Sequence, residues 1–211
     1  MMTSLPSLDT TPQVIGTERI RAAFAIEWTR ADCAKLEAAG VLTRRYELLE
    51  GDIVYKMPQK TAHRVCVSSA MGWLIGWFGA KRVQSQAAID VRPQDNPTSE
   101  PEPDVTLLHR PRTDRDPDNP LPRDIALCME VGDSTFTYDS TTKAGLYARA
   151  EIAEYWVVGI PDRTLHVYRN PQNGSYTTHT VYRDGDTVAP LVAPESAVAV
   201  TDLLPAMASS G

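Results

Sequence analysis

The chain has 211 residues, 42% hydrophobic and 23% charged, with a formal net charge of −6. That is a globular composition with enough chain for a core, and it excludes disordered and collagenous classes. The acidic balance also excludes a bulk-basic nucleic-acid coat protein, although a local basic groove stays open because steering depends on the local field.

Residues 1–26 are polar and weakly periodic and read as a loose arm, ahead of one domain over residues 27–205 and a tail over residues 206–211. Thr29, with Asp32 three residues later, predicts a capping box that opens a helix, and Gly40 suits its end. Tyr46 to Met57 predicts a hairpin, with apolar runs on either side of Glu50-Gly51-Asp52. Thr61 to Phe78 predicts an amphipathic helix whose stripe runs through Ala62, Val65, Cys66, Ser69, Ala70, Trp73, Leu74, Trp77 and Phe78. Trp73, Trp77 and Trp156 are assigned to the core on the same grounds.

Arg82 to Arg92 alternates, and predicts a half-buried strand with Val83, Ala87, Ile89 and Val91 on one face. Val105 to His109 predicts a short strand after an acidic, proline-rich entry. Arg110 to Asp124 predicts a loop without core residues. Ile125 to Val131 is a nearly unbroken apolar run, the pattern of a central strand buried on both faces. Ser140 to Ala150 predicts a helix capped by Thr137, Asp139 or Ser140, and three further strands follow at residues 154–160, 164–169 and 175–182. Strands interrupted by two or three helices give an α/β or α+β fold with a mixed sheet.

Cys33, Cys66 and Cys128 are far apart, with no zinc-ligand spacing, which argues against a disulfide framework and fits a reducing cytoplasm. The first residues show no secretory signal. The longest apolar run, Ala70 to Ala80, is about half of a membrane span, so no membrane role is expected.

Glu130 stands in the most apolar strand of the chain. Either the strand emerges into solvent there, or the carboxylate is buried and needs a partner or a metal. Asp104 opens the neighbouring strand and is either a solvated loop acid or a second carboxylate at the same sheet edge. Two converging carboxylates repel, and a hard divalent cation relieves this; Mg²⁺ in particular takes one or two carboxylates plus water and phosphate oxygens. Lys143 is one turn of helix from Tyr147, so the two share a face.

These segments resemble the PD-(D/E)XK nuclease superfamily, and within it the Uma-two family of restriction-endonuclease-like proteins. The likeness runs from about Thr43 to Leu204, through RYELLEGDIV, His63, SEPEPDV, PRDIALCMEV, GDSTFTYDSTTKAGLYARAEIAEYWVV and TLHVYRNP. It implies a restriction-endonuclease-like core, a mixed sheet flanked by helices with extra N-terminal and C-terminal strands. It also implies DNA phosphodiester hydrolysis with Mg²⁺ or Mn²⁺. Asp104 and Glu130 match the two metal-binding carboxylates. The motif lysine should follow Glu130 by two residues, where Gly132 stands, and Lys143 on the next helix matches its substitute.

Accessory candidates are Glu47 as a third acid or a surface glutamate, His63 facing the cleft or packed, Gln86 on a polar strand face, Asp139 as a helix cap first, and Tyr147. A homodimer would match two active sites to the two strands of a duplex. The alternatives are a non-catalytic module that keeps the fold, and a small-phosphoester hydrolase. Residues 95–139 hold eleven acids against four bases, a net −7 that leaves +1 for the rest of the chain. DNA affinity is therefore expected to depend on a divalent ion.

Overall fold

The computed structural model describes residues 26–207, so the arm expected at the N-terminus lies outside the described residues apart from its last position. Helix α1 (Arg30–Ala38) begins with the expected capping box: Asp32 N–H donates to Thr29 Oγ1, and Thr29 N–H donates back to Asp32. Strands β1 (Tyr46–Leu49) and β2 (Asp52–Tyr55) form the expected hairpin. Glu50 and Gly51 both have positive φ, as a tight two-residue hairpin turn requires.

Helix α2 (Thr61–Phe78) has the bounds read from the sequence. Its buried stripe is Cys66, Val67, Ala70 and Leu74, rotated slightly from the expected one. Val65 is outside that stripe, and Trp77 is 53% exposed rather than in the core. Trp73 is half-buried and stacks on the buried Trp156, with ring centroids 5.7 Å apart.

One six-stranded mixed sheet runs in the order β3 (Val83–Gln84), β4 (Val105–Leu108), β5 (Ile125–Gly132), β6 (Glu154–Gly159), β7 (Thr164–Gln172) and β8 (Ser175–Arg183). Neighbours are antiparallel except β5 and β6, which are parallel and joined by a helical crossover, α3 (residues 136–149). Short strands β9 (Thr187–Val188) and β10 (Val198–Ala199) pair with each other, and α4 (Val200–Leu203) follows.

Alternation along β5 and β6 divides the core in two. Leu127, Met129, Val131, Trp156 and Val158 face α2 and α4, whereas Cys128, Tyr155 and Val157 face α3. Leu49 of the hairpin joins the α3 side.

The strand expected over residues 82–92 shrinks to Val83–Gln84. Gln86 adopts a φ of 52°, which breaks the ladder and turns the chain. As a result Val83 packs with α2, whereas Ile89 and Val91 pack with α3, on the opposite side of the sheet. Among the described residues, no helix is long and apolar enough to cross a membrane.

Candidate active site

The β4–β5 register places the first two candidates. Val105 pairs with Met129, so the next step of the ladder sets Asp104 opposite Glu130. Asp104 N–H lies 3.4 Å from Glu130 Oε2, and Val131 N–H donates to Asp104 Oδ2 at 2.9 Å. Glu130 does not emerge into solvent: it is 3% exposed, in a strand buried along its whole length.

Helix α3 brings in the lysine. It covers residues 136–149 as an α-turn (Phe136–Tyr138), a π-helical segment (Asp139–Lys143) and an α-helix (Ala144–Arg149). It thus begins before Ser140, and neither Thr137 nor Ser140 nor Asp139 caps it. Asp139 is buried inside the helix and accepts a hydrogen bond from Thr135 Oγ1 at 2.7 Å. The i→i+5 bonding of a π-segment adds a residue to the turn, so side chains four apart fall closer to one line. Asp139, Lys143 and Tyr147 form such a file facing the sheet: Lys143 Nζ is 3.9 Å from Asp139 and 2.9 Å from Glu130 Oε1, and Tyr147 OH donates to the same oxygen at 3.0 Å.

Glu47 alternates with Leu48 on β1 and so points, with Leu49, toward α3. It is buried and accepts from Lys143 Nζ at 3.0 Å and from Glu102 N–H at 2.6 Å. His63 extends the buried stripe of α2 beyond the core. Its Nε2 lies 3.1 Å from Asp104 Oδ2 and donates, because a carboxylate only accepts. Its Nδ1 is buried without a protein partner. Gln86 Nε2 approaches Asp104 Oδ1 at 3.4 Å, from the turn rather than from a strand face.

Glu47, His63, Asp104, Glu130, Asp139 and Lys143 all line one cleft of about 180 Å³. Tyr147 stands behind Glu130, and Gln86 behind Asp104. Among the lining residues that the sequence reading missed are two lysines, Lys56 and Lys60. Lys56 Nζ pairs with Glu102 at 3.0 Å and lies 3.9 Å from Glu47. Lys60 Nζ pairs with Asp133 at 2.7 Å, joining the start of α2 to the loop after β5. The spacing of lysines in YKMPQK was the available signal.

Acids outnumber bases here. Burial pushes the Glu130 carboxyl well above its ordinary value; Lys143 opposes this, and Asp104, Asp139 and Glu47 add to it. Burial would also raise Asp104, but the His63 bond and charge and the Val131 N–H outweigh it, so Asp104 lies below its usual value. Burial opposes the charged form of Lys143, yet Glu130, Glu47 and Asp139 outweigh that and hold its pKa well above normal. Lys143 is therefore an ammonium at neutral pH.

The donor set fits a hard divalent cation of limited protein coordination. Asp104 Oδ1 and Glu130 Oε2 make only contacts of 3.4 Å, whereas their sister oxygens are held at 2.9–3.1 Å. Among the described residues, no group of three His, Cys, Asp or Glu is placed to enclose a metal. Two carboxylates leaving the remaining positions to water and phosphate is the Mg²⁺ pattern.

Gly132 explains why no lysine follows Glu130 by two residues. A Cβ there would lie 2.8 Å from Phe136 Cα, because the first turn of α3 packs directly on that glycine.

The family model described as "Uma2: Putative restriction endonuclease" matches residues 41–201. A crystal structure from Anabaena variabilis ATCC 29413, described as "a putative nuclease belonging to DUF820", is similar in fold with a TM-score of 0.62 at 16% identity. The likeness covers 80% of this chain and 96% of that one. No curated protein matches the chain.

Proposed function

The chain belongs to the Uma2 family, and from that premise we propose that it is a nuclease hydrolysing DNA phosphodiester bonds with Mg²⁺ or Mn²⁺. The observation that carries this reading is the rung of the sheet on which Asp104 and Glu130 face each other, with a buried ammonium on Glu130. Asp104 Oδ1 and Glu130 Oε2 would hold the ion. Bound there, Mg²⁺ would supply Lewis acidity and lower the pKa of a coordinated water.

The chain's own residues have distinct tasks in this scheme. Hydrolysis joins a water oxygen to phosphorus and breaks the bond from phosphorus to the leaving sugar oxygen, which gains a proton. Negative charge grows on the phosphoryl oxygens meanwhile. Lys143, held protonated, stabilises that charge rather than acting as a base. His63 and Val131 N–H fix Asp104 Oδ2, which leaves Oδ1, with a single 3.4 Å contact, as the oxygen for the ion. Tyr147 fixes Glu130 from behind.

Residues 27–205 form the proposed nuclease unit, working in the cytoplasm as a homodimer. Incubation of purified protein with supercoiled plasmid and with single-stranded circular DNA tests the activity. Nicking with Mg²⁺ or Mn²⁺, abolished by chelator and by Asp104→Ala or Glu130→Ala, is expected. Nicking that survives both substitutions overturns the assignment. DNA affinity that is equal with metal and in chelator counts against an acidic metal site.

A further inference from the structure

One wall of the cleft is a continuous segment, residues 54–60, that leads from β2 into α2. It carries exposed apolar side chains and an exposed lysine, Lys60, with Lys56 half-buried against Glu102. Tyr55 is 42% exposed and Met57 74% exposed, both large and both on the cleft lining. Lys56 and Lys60 stand between and beyond them, and the Lys60 side chain is 71% exposed. The Arg44 guanidinium lies 4.9 Å from the centre of the Tyr55 ring. Tyr55 thus keeps its exposure even with a cation on its ring.

The reacting groups below are deep. The side chains of Asp104, Glu130 and Lys143 are 10%, 4% and 5% exposed. Lys60 and Asp133 bridge the mouth at one side. Duplex DNA is a stiff rod, with a persistence length of roughly 150 base pairs, and it carries its phosphates on a convex surface. A single strand bends its backbone inward and leaves its bases free to stack. Basic side chains tracking a backbone, interleaved with stacking groups, are what unpaired DNA requires.

We propose that residues 54–60 form a stacking subsite for an unpaired DNA strand, with a base on Tyr55 and Met57 and the adjoining phosphate on Lys60. This rests on the nuclease reading of the cleft and adds its substrate class: single-stranded DNA, or the unpaired part of a flap or frayed end.

Fluorescence anisotropy of a labelled single-stranded oligonucleotide and its duplex, in Ca²⁺, tests the subsite. The single strand is expected to bind at least about tenfold more tightly than the duplex, and Tyr55→Ala to remove most of that difference. Tyr55→Phe keeps the ring and the affinity. Tyr55→Leu keeps apolar bulk without the π face and loses affinity, so it carries the test should Tyr55→Ala fold poorly. Equal affinity for single strand and duplex, or unchanged affinity in Tyr55→Leu, overturns the subsite. The parent reading fails separately, when no DNA is cut in an Asp104-dependent manner although the binding preference holds.

Discussion

Lys143 reaches Glu130 from a helix across the sheet face, Nζ to Oε1 at 2.9 Å, and shares its charge with Glu47 at 3.0 Å. All three side chains are buried. Removal of the lysine leaves two carboxylates in low dielectric without their cation. Lys143→Ala is therefore expected to lower stability by roughly 3–5 kcal/mol. Urea unfolding measures it. Lys143→Met combined with Glu130→Gln should recover much of the loss, since the uncompensated charge at Glu130 is then gone. A single substitution within about 0.5 kcal/mol of wild type would show that the charges are not held as described.

Gly132 is the second test. Its missing Cβ is the space that Phe136 occupies, so Gly132→Ala forces the first turn of α3 outward. A loss of about 1–3 kcal/mol is expected from overpacking. Gly132→Lys in a Lys143→Ala background, which moves the lysine to the position two residues after Glu130, should not restore DNA cleavage. Recovery of cleavage would mean that α3 yields and that the two lysine positions are interchangeable.

His166 and His179 share a hydrogen bond of 2.9 Å on β7 and β8, and their rings stack. Burial, and for His166 the neighbouring His179, hold both pKa values below the ordinary imidazole value. The unfolded chain therefore takes up protons more readily than the folded one, and acid favours unfolding. This contribution is complete above about pH 6.5 and is lost as the pH falls through the lowered values. Urea midpoints of wild type should fall between pH 7.5 and 5.5 more steeply than those of His179→Gln. Parallel pH profiles would rule the pair out as a pH-dependent element.

Glu154 is fully buried, outside the cleft lining, and accepts from Trp156 Nε1 at 2.9 Å, Arg169 Nε at 2.7 Å and Leu191 N–H at 2.7 Å. Glu154→Ala leaves three donors, the Arg169 guanidinium among them, without their acceptor. A destabilisation on the order of 3 kcal/mol or more is expected, with DNA cleavage retained at low temperature. A thermal scan paired with the nicking assay separates this variant from Lys143→Ala, which should lose both stability and cleavage.

The legible parts of this fold were those fixed by local pattern. The unbroken apolar run marked β5 and made Glu130 conspicuous, and the hairpin and both long helix starts followed from turn and periodicity signals. What escaped depended on long-range packing. The turn at Gln86 needs a positive φ that no glycine announces, so an alternating segment read as a longer strand. Asp139 resembles a cap in sequence, and only the π-segment and Thr135 reveal it as a buried acid. Trp77 lies at the edge of a wide apolar stripe, where a small rotation of the helix decides between core and solvent. Lys56 and Lys60 join the cleft only because the segment that links the hairpin to α2 forms one of its walls.

The ladder between β4 and β5 carries one further consequence. Asp104 and Glu130 hang from a single rung, and a slip of one residue would exchange Glu130 for Met129 or Val131 and turn the carboxylate to the other face. The irregularity that the ladder does contain, between Leu107 and Leu108, lies at the far end of β4. A chain folded out of register has no pair of facing carboxylates, so the proposed metal site exists only in the correctly paired sheet.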